Sequence, residues 1–153
     1  MEKLIKLLKE KNKTISCMES CTGGMFASSI TNIEGASDVF KLGLVTYSNE
    51  FKEYFGVSKE KIKKYSVYST EVAEEMAFNA CKISNSDYSV GITGTLGNVD
   101  PYNKTTNLNK AYISIFTNGK YYNYETDPIG TNRIQKKEYI VNYVKEKLYG
   151  ICK

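Results

Sequence analysis

Between Thr14 and Ile30 the hydrophobic repeat changes from that of a strand to that of a helix, across a turn carrying the consecutive glycines Gly23 and Gly24. Thr14 to Met18 alternates, with Ile15 and Cys17 on one side, while Met25, Phe26, Ser29 and Ile30 recur at helical spacing. A strand feeding directly into a helix belongs to sheets covered by helices. Adjacent glycines are poor helix formers, so their use at a helix start implies that bare N–H groups come close to something, an anion above all. The segment by itself leaves a plainer alternative open, in which Ser20 or Thr22 is only an N-cap and the glycines only make the turn.

The rest of the chain continues the alternation. An amphipathic helix is expected at Lys3–Lys11, with Leu4, Ile5, Leu7 and Leu8 inward. After a loop at Glu34–Ser37, Val39–Tyr47 reads as a long strand. Ser48 or Asn49 then caps a short helix through Phe55, stopped by Gly56, which places Lys52 in its first turn. The positive end of the helix dipole disfavours an ammonium there, so the location favours the neutral amine that a general base requires. Ser69 and Glu71 open the clearest helix, with Val72, Ala73, Met76, Ala77, Ala80 and Ile83 on one face. Tyr88–Ile92 alternates as a strand and runs into Thr93-Gly94-Thr95-Leu96-Gly97, which reads as a second small-residue turn at a strand end. Asn98–Asn109 is polar and turn-rich. Ala111–Phe116 and Tyr121–Glu125 form a hairpin about Asn118-Gly119, and a final helix capped by Thr131 or Asn132 turns Ile134, Val141, Val144 and Leu148 inward. The pattern predicts an α/β fold, a three-layer α/β/α sandwich on a mostly parallel, mixed sheet. Ligands in such folds bind beyond the carboxyl ends of the strands. With 41% hydrophobic residues, residues 1–153 are expected to form a single domain.

The chain contains no histidine, which excludes a Ser-His-Asp triad and a Cys-His dyad, so a nucleophile must take its base from Lys, Tyr, Asp or Glu. The net charge of +4 is spread over lysines interleaved with glutamates, and Arg133 is the single arginine. That pattern argues against a nucleic-acid partner. The first residues interleave lysine with leucine, so neither a signal peptide nor a membrane association is expected, and a cytoplasmic location follows. Four cysteines without zinc spacing are read as reduced thiols, and neither a metal nor a cofactor is expected.

Glu19-Ser20-Cys21-Thr22-Gly23-Gly24, Val45-Thr46-Tyr47-Ser48-Asn49 with Lys52 three residues on, Gly56-Val57, Ser69-x-Glu71-Val72-Ala73 with Met76-Ala77, and Thr93-Gly94 together resemble the CinA C-terminal domain family in order and spacing. The resemblance implies a three-layer fold, a homodimer, and an amidohydrolase that converts nicotinamide mononucleotide to nicotinic acid mononucleotide and ammonia. Ser20 falls on the family's proposed nucleophile, with Lys52 and Tyr47 on its lysine and tyrosine, and Lys52 acting as base directly or through Tyr47. A nucleotide substrate would be held by Cys21, Thr22, Gly23, Gly24, Ser48 and Asn49, together with Thr93, Gly94 and Arg133, the last as a phosphate partner. Cys21 as a thiol nucleophile is the lesser alternative.

This chain departs from the family pattern around the pocket. The family's Gly-Ile-Ala-Gly-Pro type loop, closing in Lys-Pro-Val-Gly, is Gly94-Thr95-Leu96-Gly97-Asn98 here and closes in Asn107-Leu108-Asn109. The usual Gly-Ala before the serine of the long helix is Ser66-Val67-Tyr68. Substrate specificity is therefore the property most open to change.

Overall fold

The computed structural model describes residues 1–103 and 105–153. The elements in order are α1 (Glu2–Glu10), β1 (Ile15–Glu19), α2 (Met25–Thr31), a 3₁₀ turn at Ala36–Asp38, β2 (Phe40–Val45), α3 (Asn49–Tyr54), α4 (Lys59–Tyr65), α5 (Thr70–Ser84), β3 (Tyr88–Leu96), β4 (Asn109–Thr117), β5 (Lys120–Thr126) and α6 (Arg133–Cys152). The strands form one sheet in the order β2-β1-β3-β4-β5. β1 pairs with β2 and β3 in parallel, and β4 pairs with β3 and β5 antiparallel, so four strands share one direction and β4 opposes them.

The period of two in β1 builds the layers. Ile15 and Cys17 face a core shared with α1, α2 and α6, while Met18 faces a second core made with α4 and α5 through Val57, Ile62, Val72 and Met76. The sheet is thus covered on both faces, as the alternation of patterns predicts. On the α5 face, Gly91 is required by close approach: a Cβ there would lie 2.1 Å from the Ala73 carbonyl oxygen. The hairpin turn at Asn118 and Gly119 has φ of 50° and 72°, the left-handed pair that a two-residue connection between twisted strands needs.

Several expectations are corrected. Thr93-Gly94 is not a turn, because β3 continues to Leu96 and pairs Gly94 with Ala111 of β4. Its glycine serves cross-strand approach, a Cβ there meeting the Lys110 carbonyl oxygen at 2.4 Å. β2 is shorter than Val39–Tyr47, and α4, capped by the Ser58 side chain at Lys61 N, lies where no helix is predicted. Lys52 occupies the last turn of α3, not the first, so the dipole argument for its amine fails. Ile83 and Ile134 are exposed rather than inward. The inward row of α5 runs from Met76 through Ala80 to Ser84, and the first turn of α6 flanks the strand ends instead of the core.

Candidate active site

At the end of β1 the same period of two that turns Ile15 and Cys17 toward α2 turns Glu19 there as well. Its carboxylate is fully buried and accepts five hydrogen bonds, from the Cys17 thiol at 3.7 Å, from Thr22 Oγ1 at 2.5 Å and from the N–H groups of Gly24 at 3.2 Å, Phe26 at 3.1 Å and Ala27 at 2.8 Å. The glycine turn does hold an anion at a helix start, and that anion is the chain's own. Of the groups expected to hold a substrate phosphate, the Thr22 hydroxyl and the Gly24 N–H are already engaged by Glu19. Gly23 and Gly24, at φ of 61° and 93°, bend the chain so that these amides converge on the carboxylate.

Ser20 follows directly. Its N–H donates to Ile92 O at 2.9 Å, while the Thr46 N–H donates to Glu19 O at 2.8 Å, so β3 and β2 grip the turn from both sides. Among the described residues no acceptor receives the N–H of Cys21 or Thr22, the two amides after the serine.

α3, capped by the Ser48 side chain at Phe51 N, aims Lys52 back under the end of the sheet. The lysine is 1% exposed, and its Nζ lies 3.0 Å from Ser20 Oγ and 2.7 Å from Thr46 O. Burial pulls the ammonium down from an ordinary 10.5 to about 8, against an upward pull from Asp100. Burial pushes the neighbouring Cys21 thiol the other way, up to about 12, with the Glu19 charge adding to it. The shift favours the neutral thiol of Cys21, which weighs against a thiolate nucleophile there.

Ser20 and Lys52 open into a cleft of about 630 Å³, a size suited to a nucleotide-sized ligand. Cys21, Ser48, Asn49 and Gly94 also line it. Tyr47 is 64% exposed at the rim, where its hydroxyl accepts from Arg133 Nη2 at 3.4 Å, so the lysine reaches the serine directly and not through it. Thr93 is fully buried, donates to Val67 O at 2.8 Å, and lies outside the cleft lining.

Sequence reasoning missed a second wall. Tyr68 donates to Asp100 Oδ2 at 2.5 Å, Asn103 Nδ2 donates to the same oxygen at 2.8 Å, and the Tyr102 N–H donates to Oδ1 at 2.8 Å. Asn49 and Asn103 exchange amide hydrogen bonds of 2.8 and 3.1 Å, which ties this loop to the start of α3. Asp100-Pro101 is legible as a turn, but Tyr68 and Asn49, which tie the loop to the rest of the cleft, lie far away in sequence and nothing local marks them. Ser66, just before Val67 and Tyr68, has φ 68° and ψ 161°, a conformation that costs any residue but glycine.

A family model for the CinA C-terminal domain matches residues 1–151. A competence-damage inducible protein of Thermoanaerobacter pseudethanolicus is 43% identical over 124 residues, covering 79% of this chain and 29% of the relative. One from Clostridium kluyveri is 38% identical over 142 residues, covering 92% of this chain and 34% of the relative. The chain thus spans about a third of the length of these relatives or less. The crystal structure of the competence/damage inducible protein CihA from Agrobacterium tumefaciens superposes with a TM-score of 0.91 at 26% identity, covering 99% of this chain and 93% of that one.

Proposed function

The chain belongs to the CinA C-terminal domain family, and from that premise we propose that it is a nicotinamide-nucleotide amidohydrolase with Ser20 as nucleophile and Lys52 as its base. The observation that carries the reading is the buried Lys52 Nζ, 3.0 Å from Ser20 Oγ, in a chain without histidine. As a neutral amine, Lys52 takes the serine proton while Oγ attacks the carboxamide carbon of nicotinamide mononucleotide. The carbonyl oxygen becomes an oxyanion, for which the Cys21 and Thr22 N–H groups are the available donors. The Lys52 ammonium then returns the proton to the departing nitrogen, ammonia leaves, and an ester on Ser20 remains. Lys52 activates water in the second half, giving nicotinic acid mononucleotide and free serine.

Thr46 O fixes the lysine rotamer, so the pair is organised before substrate arrives. The phosphate goes to Arg133 at the cleft rim, not to the glycine turn that Glu19 occupies. A homodimer is part of the same proposal and rests on the family alone.

The test is ammonia release from nicotinamide mononucleotide by the wild-type chain and by Ser20→Ala and Lys52→Ala. Turnover lost in both variants with nucleotide binding kept supports the reading. Binding without release by the wild type replaces it with a nucleotide-binding module, and full activity in Ser20→Ala overturns it.

A further inference from the structure

Asp100 brings a carboxylate into the cleft, and all three of its hydrogen-bond donors, the Tyr68 hydroxyl, the Asn103 amide and the Tyr102 N–H, are neutral. Among the described residues no lysine or arginine forms an ion pair with it. Burial raises the Asp100 carboxyl, but the hydrogen bonds from Tyr68 and Asn103 outweigh it and hold the group below its ordinary value, so it stays charged at neutral pH. An ionised carboxylate accepts at about four lone-pair positions, which leaves room beyond the three donors present. Tyr47, Tyr68 and Tyr102 line the same cleft, and tyrosine faces attract cations. Arg133, at the rim, supplies the opposite sign. The cleft is therefore polarised, with an anion set among aromatic rings and a cation at its mouth.

We infer that the Asp100 carboxylate, with Tyr68 and its tyrosine neighbours, selects substrates whose amide is carried on a positively charged aromatic ring, an N-substituted pyridinium, over the uncharged dihydropyridine of the same skeleton. This rests on the amidase reading and adds to it a discrimination between oxidised and reduced rings. Tyr68 both donates to the carboxylate and is kept protonated by burial, which stops a second negative charge from forming beside it.

The probes are 1-methylnicotinamide, a cation, and 1-methyl-1,4-dihydronicotinamide, its uncharged reduced form. Dissociation constants for both are measured by ligand-observed NMR at pH 8 on Ser20→Ala, which cannot turn them over. The cation is expected to bind about tenfold more tightly, the scale of a partly desolvated cation–aromatic contact. Ser20→Ala/Asp100→Asn should bring that ratio close to one. Ser20→Ala/Asn103→Ala, which loosens the loop and keeps the charge, should preserve the preference for the cation, separating charge from loop order. An equal or inverted ratio in Ser20→Ala, a ratio unchanged by Asp100→Asn, a preference lost in the Asn103→Ala control, or binding of neither probe overturns the inference. Ammonia release bears on the amidase reading alone: release with no charge preference sinks this inference and leaves that reading standing, and the reverse result does the opposite.

Discussion

If burial sets the Lys52 amine at about 8 instead of an ordinary 10.5, two measurements must agree on it. At pH 7 about a tenth of the enzyme would hold a neutral lysine, against about 0.03% for an unperturbed one, a gain of about 300-fold in competent base. kcat/KM for ammonia release from nicotinamide mononucleotide should rise tenfold per pH unit below about 8 and level off above it, measured between pH 6.5 and 9.5. Stability supplies the second reading. The folded pKa lies below the unfolded one, so the unfolded chain binds more protons between them, and the stability that is full above 10.5 is lost as pH falls toward 8. The stability of wild type minus that of Lys52→Met isolates this residue, since hydrogen bonds lost by the variant do not depend on pH in the same way. That difference should move in favour of wild type by about 2.5 kcal/mol from pH 7 to pH 10, by urea denaturation. A rate profile flat from pH 6.5 to 9, or a stability difference that does not change with pH, would refute the buried-amine argument.

Three further outcomes are expected. Ser20→Ala and Lys52→Ala should each lower kcat by at least about 100-fold, and the double variant should be hardly worse than either, because the two act as one unit; multiplied losses in single-turnover assays would separate their roles. Glu19→Ala strands the hydroxyl of Thr22 and three amides of the α2 turn, and should cost at least about 3 kcal/mol in chemical denaturation, with Glu19→Gln costing less; a neutral result would mean the carboxylate does not hold the turn. Ser66→Gly should raise stability by about 1 kcal/mol by relieving the backbone at φ 68°, and a loss of stability there would show that the Ser66 side chain matters more than the strain.

The sequence carried the layers well where periodicity was long. The β1 alternation and the α5 face each follow from side chains that must leave water. The Asn118-Gly119 hairpin was legible because two adjacent left-handed residues permit little else. Thr93-Gly94 misled because a small residue reads alike whether it bends a chain or admits a neighbouring strand, and only the β4 pairing separates the two. Lys52 was picked out on a dipole argument that its place in α3 removes, and burial supplies the lowered basicity instead. Glu19 was within reach, since it shares the parity of Ile15 and Cys17, but an acid at a strand end ordinarily faces solvent. The Tyr68–Asp100 and Asn49–Asn103 contacts join segments distant in sequence, and no local pattern encodes them.

The turn that presents Ser20 is held by backbone bonds to Ile92 of β3 and from Thr46, the residue that follows β2, both far along the chain from β1. No fragment containing only β1 and α2 can hold that geometry, however well its own helix forms. During refolding, loop closure to both strands has to precede it, and closures of that span are slow compared with helix growth. Helical signal should thus return early after denaturant is diluted, and the nucleophile should fall into place only with the last parallel pairing. A reagent that acylates Ser20 would then serve as a clock for closure of the β2-β1-β3 core, reporting a topological event through a single hydroxyl.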